Sequence, residues 1–210
     1  MESKMANYKI HVAYDGARYK GWQRLGDSDM TIQGKIEDVL TKLTIENVEV
    51  IGSGRTDAGV HAVYQVANFH LQDELPASEI KEYLYRYLPD DIVVKKVQKV
   101  EERFHARFNS VSKTYTYKIW NHHQHDPFNR KYMLHVQEGL NLEVMEKASE
   151  YFVGKYDFSA LTTAKSKKKS MVREIKSIQI QKDGNCVTIA IEADGFLHKM
   201  VRKISGTLIE

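Results

Sequence analysis

Gly54-Arg55-Thr56-Asp57-Ala58-Gly59-Val60-His61 holds the densest chemistry in this chain. It sets one carboxylate, Asp57, beside one permanent cation, Arg55, in a run that glycines open and interrupt. Glycines there let the backbone turn tightly and approach a ligand. Alternating apolar stretches lie on both sides, so the run reads as a loop held between two strands. Loops carried on a rigid scaffold are where binding and catalytic residues concentrate. The residue types fit equally a plain strand-to-strand turn in which Asp57 caps its own backbone.

A second concentration of charge lies between Ala160 and Lys176, where Lys165, Lys167, Lys168, Lys169, Arg173 and Lys176 face one acid, Glu174. Its centre has no apolar periodicity and is predicted to be a mobile loop. Such a loop binds phosphates by counterion release, blind to sequence and sensitive to salt. An ordinary solvated surface loop fits it as well. His122, His123, His125 and Asp126 are metal-ligand types. Adjacent histidines at a strand end do not converge on one ion, so no metal is expected there. Cys186 falls in a predicted strand and reads as a small buried apolar residue.

The elements that must position these groups follow from periodicity. Tyr8 to Tyr14 alternates as a strand, and Thr31 to Leu43 places Ile32, Ile36, Val39, Leu40 and Leu43 on one helical face. Val48–Ile51 and Val63–Phe69 are strands flanking the Gly54–His61 loop. Ser78 is expected to cap a helix that Pro89 terminates, and Ile92–Val100 is an edge-type strand carrying lysines. The order β-α-β-β-α-β is the ferredoxin-like arrangement. The second half repeats its beginning. Lys113–Trp120 is a strand, and Asn141 caps a helix that Gly154 closes. Glu174–Gln181 and Cys186–Ala193 form a hairpin around Asp183-Gly184, and Phe196–Leu208 is a helix. The fold class is therefore α+β, with halves spanning residues 1–103 and 104–210. The second half lacks its last strand, and an unpaired inner edge is a liability. The expectation is a longer parent protein or a partner that supplies the missing piece.

Bulk properties narrow the class. The 210 residues are 42% hydrophobic and 28% charged, enough for one good core or two small ones. One cysteine excludes a disulfide framework and a cysteine-rich zinc site. The first seven residues have no apolar core, and no apolar run approaches the length of a membrane span. A cytoplasmic protein without a membrane partner is expected. A net charge of +3 is too small to establish a polyanionic partner by itself.

Four runs, in order, resemble the TruA family of tRNA pseudouridine synthases. They are Tyr14-Asp15-Gly16 with Gly21-Trp22-Gln23-Arg24, then Gly54–His61, then Phe104–Phe108 leading into Lys113-Thr-Tyr-Thr-Tyr117, and last Phe196–Arg202. The resemblance covers nearly the whole chain. It implies two ferredoxin-like halves forming a mainly antiparallel sheet with a central RNA-binding cleft. It also implies isomerisation of uridine to pseudouridine at positions 38, 39 and 40 of the tRNA anticodon stem-loop. That reaction exchanges a C–N for a C–C bond without redox or energy input, so no cofactor is expected.

Residue by residue, Asp57 matches the family's catalytic aspartate, an ionised nucleophile or base. Attack at the ribose, proton abstraction there and addition to the uracil ring all remain open. Arg202 matches an arginine that resembles its ion-pair partner. Tyr115 matches the tyrosine that packs on the target base, where a ring is worth roughly 1–3 kcal/mol and a hydroxyl can assist proton transfer. Arg55 matches the residue that enters the RNA stack. Arg24, Lys20 and the lysines at 165 and 167–169 are candidate phosphate contacts. The family resembles symmetric dimers, so a homodimer is expected. The alternative from another class is a catalytically inert RNA-binding or RNA-remodelling protein of the same fold.

Overall fold

A computed structural model describes residues 5–163 and 170–210. The lysines at 165 and 167–169, with the mobile loop predicted around them, lie outside the described residues. The chain divides into two compact units, Met1–Ser110 and Val111–Glu210, each with its own sheet.

In the first unit the elements run β1 (Ala6–Tyr14), α1 (Ile32–Thr44), β2 (Ile51–Gly52), β3 (Ala62–Leu71), α2 (Ala77–Tyr87) and β4 (Ile92–Val100). The sheet order is β2-β3-β1-β4 with every neighbouring pair antiparallel, the ferredoxin-like order read from the sequence. Ile10 of β1 faces Ala67 of β3 on one side and Val97 of β4 on the other. Tyr8, Ile10, Val12 and Tyr14 share one core with Ile36 and Leu40 of α1 and with Ile80 and Leu84 of α2. Each such side chain contributes about 1.5–3 kcal/mol by leaving water. β4 occupies an outer position, where its lysines discourage further pairing.

Three local expectations change. Thr31 is the N-cap of α1, accepting from Gly34 N at 3.2 Å, and lies just outside the helix. Ser78 caps nothing: α2 starts at Ala77 after Pro76, whose φ of −57° already suits a helix start. The strand expected over Val48–Ile51 shrinks to Ile51–Gly52, because Val50 N donates to the Glu37 carboxylate at 2.9 Å instead of joining the ladder.

The second unit contains β5 (Lys113–Asn121), β6 (Leu134–Val136), α3 (Leu142–Glu150), β7 (Gly154–Asp157), β8 (Val172–Asp183), β9 (Cys186–Ala193) and α4 (Met200–Ile209). The sheet order is β6-β5-β9-β8-β7, with only the β5–β6 pair parallel. β6 and β7 have three and four residues, too short for a period to announce them. β6 occupies the place beside β5 over Ile119–Asn121. Asn141 does cap α3, accepting from Val144 N at 3.2 Å. Gly154, at φ 125°, opens β7 instead of closing α3, which ends at Glu150. Asp183 already pairs with Cys186, so the hairpin loop is Gly184–Asn185, one residue along. Cys186 is half-buried, on the face opposite Val187, Ile189 and Ile191, which fill the core. α4 starts only at Met200, because Lys199 takes a left-handed φ of 59°, which leaves Phe196 outside the helix.

Candidate active site

The loop carrying Arg55 and Asp57 joins β2 to β3 and is tied down at both ends. Ser53 N donates to Val66 O at 2.8 Å, and the buried Gln65 side chain donates to Gly54 O at 2.8 Å. At the far end Val60 N donates to Asp57 O at 3.2 Å, and Gly59 turns the chain at φ 76°. Exposure alternates along the centre: Arg55 faces water, Thr56 is 9% exposed, and Asp57 faces water again. The inward-facing Thr56 hydroxyl sits 2.9 Å from the Tyr14 hydroxyl at the end of β1.

A second layer, the segment between β1 and α1, supports this loop from beneath. Trp22 N donates to Thr56 O at 3.0 Å and Gly59 N to Tyr19 O at 3.3 Å. Two glycines permit the approach: a Cβ on Gly16 would stand 2.0 Å from Val60 O, and one on Gly21 2.7 Å from Thr56 O. The layer is itself anchored. Tyr19 donates to Asp91 at 2.7 Å, and Arg18 pairs with the same carboxylate at 2.5 Å. Burial, then the bond to Asp91, push the Tyr19 hydroxyl up to about 12, so it stays a donor across the working range.

The cations nearby divide by role. Arg55 and Lys20 are exposed. Arg24 holds Glu37 at 3.1 Å and Asp38 at 2.9 Å, with half its side chain exposed. Glu37 is buried and also accepts from Gln33 Nε2 at 2.7 Å and Val50 N at 2.9 Å. A large part of the Arg24 charge therefore serves the base of α1.

In the second unit Tyr115 lies on β5 opposite Ile191, half-buried, with Phe196 edge-on at 5.0 Å between ring centroids and 81° between planes. Phe196 lies in the segment before α4, which begins at Met200. Arg202 is exposed in the first turn of α4, which packs against β5. Asp126 spends its carboxylate locally. Its hydrogen bonds, first from the Asn129 side chain and then from Phe128 N, hold it below the usual carboxylate range. Among the described residues no group of three or more histidine, cysteine or acidic side chains is placed to hold a metal ion.

Comparison with known proteins decides the family. A family model described as tRNA pseudouridine synthase matches residues 10–109 and 148–210. The chain is 53% identical over 206 residues to tRNA pseudouridine synthase A 2 of Bacillus anthracis, covering 98% of this chain and 84% of that protein. The chain belongs to the tRNA pseudouridine synthase family. Members of this family are isomerases that convert uridine to pseudouridine in tRNA, and this chain is such an enzyme. Identity is 55% to tRNA pseudouridine synthase A of Bacillus sp. (strain KSM-64) and 48% to tRNA pseudouridine synthase A 1 of Clostridium tetani. Both matches again cover 98% of this chain and 84% of the relative.

Sequence reasoning missed the supporting groups of this pseudouridine synthase. Tyr14 reads as one more core position of an alternating strand, and Thr56 as a loop filler between two charges. The buried Asn7 was likewise invisible. Its side-chain amide donates to Glu101 O, Glu102 O and Phe104 O at 3.0, 3.1 and 2.8 Å, fixing the start of the Phe104–Phe108 run. No signal was available: Asn7 precedes the strand read over Tyr8–Tyr14 and falls on its polar side with Lys9 and His11, where a polar residue breaks no pattern.

Proposed function

We propose that this enzyme isomerises the uridines at positions 38, 39 and 40 of the tRNA anticodon stem-loop, with Asp57 as the nucleophile. The support is the outward presentation of Asp57 on a loop pinned from both ends, together with relatives named tRNA pseudouridine synthase A. The N1–C1′ bond of the nucleotide breaks, the freed base turns, and C5 replaces N1 on the ribose. The C5 proton is lost and N1 ends protonated, so the reaction balances with no added reagent. Arg55 is assigned to the gap left by the displaced nucleotide. Tyr115 acts through its ring and hydroxyl, and Arg202 through its charge. Lys20, the exposed half of Arg24 and the lysines at 165 and 167–169 contact phosphates. The enzyme works as a cytoplasmic homodimer; among the described residues no helix is long and apolar enough to cross a membrane.

The test is incubation of unmodified tRNA with the protein and with Asp57→Ala, followed by chemical probing and primer extension. Product at the three anticodon-arm positions from the unaltered protein alone is the expected result. Product elsewhere overturns the position assignment, and product from Asp57→Ala overturns the nucleophile. Sedimentation of the purified protein tests the dimer.

A further inference from the structure

The geometry points to Tyr14 as a positioning residue for the reaction. Its hydroxyl, paired with that of Thr56, fixes the direction in which the next residue, Asp57, presents its carboxylate. The inference rests on reading Asp57 as the reacting group, and adds a control that the reading itself does not contain.

Five observations carry it. Tyr14 is 4% exposed in an apolar core, its ring 6.0 Å from that of Trp22. A phenylalanine would supply the same packing, so the hydroxyl is superfluous to the core. A buried hydroxyl is tolerated only when matched, and the one on Thr56 matches it at 2.9 Å. The threonine side chain is β-branched, and a hydrogen bond to it selects one rotamer and thereby one backbone orientation. With Thr56 held inward, its neighbours Arg55 and Asp57 are both turned to water.

The Thr56 backbone is held as well, its carbonyl accepting from Trp22 N at 3.0 Å. Side chain and carbonyl are thus pinned by two different segments of the unit, β1 and the segment that follows it. Loss of the hydroxyl pair leaves Thr56 held through its carbonyl, about which the peptide leading to Asp57 can rock. Finally, the ladder between β1 and β3 is irregular between Val12 and Tyr14, and Tyr14 pairs with Ala62, the residue that follows the loop. Irregularities of this kind re-aim a side chain beside an active site.

A misplacement of about 1 Å at a reacting group lowers turnover about 100-fold. The experiment compares Tyr14→Phe, Thr56→Val, their combination, Thr56→Ser and Asp57→Ala on an unmodified tRNA transcript. Each is read by kcat, KM and melting temperature. Tyr14→Phe and Thr56→Val should each lower kcat at least about tenfold with KM for tRNA within about twofold. The losses in the double variant should be well short of multiplicative, because both single changes remove the Tyr14–Thr56 bond. Thr56→Ser, which keeps the hydroxyl, should restore most of the rate. Wild-type kcat in Tyr14→Phe, multiplicative losses in the double variant, or Thr56→Ser as slow as Thr56→Val would each overturn the role. Melting temperatures separate a folding defect from a misdirected carboxylate. An inactive Asp57→Ala beside a fully active Tyr14→Phe removes this inference alone. An active Asp57→Ala removes the underlying reading too.

Discussion

His61 Nδ1 lies 2.9 Å from Asp15 Oδ1 and 3.1 Å from Gly16 N. One nitrogen cannot serve both at once. Carrying a proton it donates to Asp15, and without one it accepts from Gly16. Either way the end of the Asp57 loop is fastened to the segment after β1. Both side chains are about a third exposed, at 35% and 38%, so the pair is worth less than a buried one. His61→Ala and Asp15→Ala should each lower stability by about 1 kcal/mol in urea denaturation. A double-mutant cycle with no coupling would show that the pair does not hold the loop.

Backbone contact between the two loop layers sets a contrast among glycines. Gly16→Ala and Gly21→Ala place a methyl 2.0 and 2.7 Å from backbone carbonyl oxygens, and Gly21 also has φ 111°. Nothing flexible can yield there, so each should cost about 1–3 kcal/mol and slow turnover. Gly59→Ala meets nothing within 4 Å and bears only the strain of φ 76°, about 1 kcal/mol. Calorimetry and kcat on the three variants check the ranking. Gly59→Ala as damaging as Gly16→Ala would refute it.

Glu37 accepts from Arg24, Gln33 and Val50 while buried. Glu37→Ala strands the Val50 amide and should lower stability by about 3 kcal/mol. Arg24→Ala should lower it by about 1 kcal/mol, since half of that side chain is already in water. Equal losses in chemical denaturation would place the importance on the arginine.

His11 contributes acid sensitivity to the first unit. Burial, then the charges of Lys9 and Lys96, lower it from its ordinary value of 6.5, and the Tyr64 hydroxyl sits 3.1 Å from its Nε2. The folded state therefore takes up this proton less readily than the unfolded chain. Its full contribution holds above the unfolded value, and stability falls as pH drops through 6.5 toward the lower folded one. His11→Gln should lose less stability than the unaltered protein between about pH 7.5 and about pH 5. Parallel losses in denaturation midpoint would exclude His11 as the source.

In the second unit Tyr115→Phe keeps the ring and its edge contact with Phe196, while Tyr115→Ala loses both. The first should bind tRNA normally and lose rate only to the extent that the hydroxyl moves a proton, about 100- to 10,000-fold where general acid–base catalysis is at work. The second should also weaken binding by about 1–3 kcal/mol. Single-turnover kinetics with separately measured affinity tells the two apart.

Periodicity reached the ferredoxin-like order of the first unit because long strands such as Tyr8–Tyr14 and helices such as α1 repeat their apolar positions many times. It missed β6 and β7, where three and four residues leave no period to count. It placed a strand at Val48 because Val50 is apolar, and could not know that its amide turns to Glu37. Reading Phe196 into a helix failed for a backbone reason, the left-handed Lys199, which no side-chain pattern shows.

What residue types alone determined was the inventory: a carboxylate beside a cation in a glycine-bearing loop, and two sets of apolar periods to carry it. Composition and spacing act over a few residues, and that is their range. Which way Asp57 faces was decided by tertiary structure, through a tyrosine hydroxyl that meets Thr56 from 42 residues earlier in the sequence and a tryptophan amide from another loop. Hydrogen bonds depend on where atoms lie in space, and sequence distance carries no record of that.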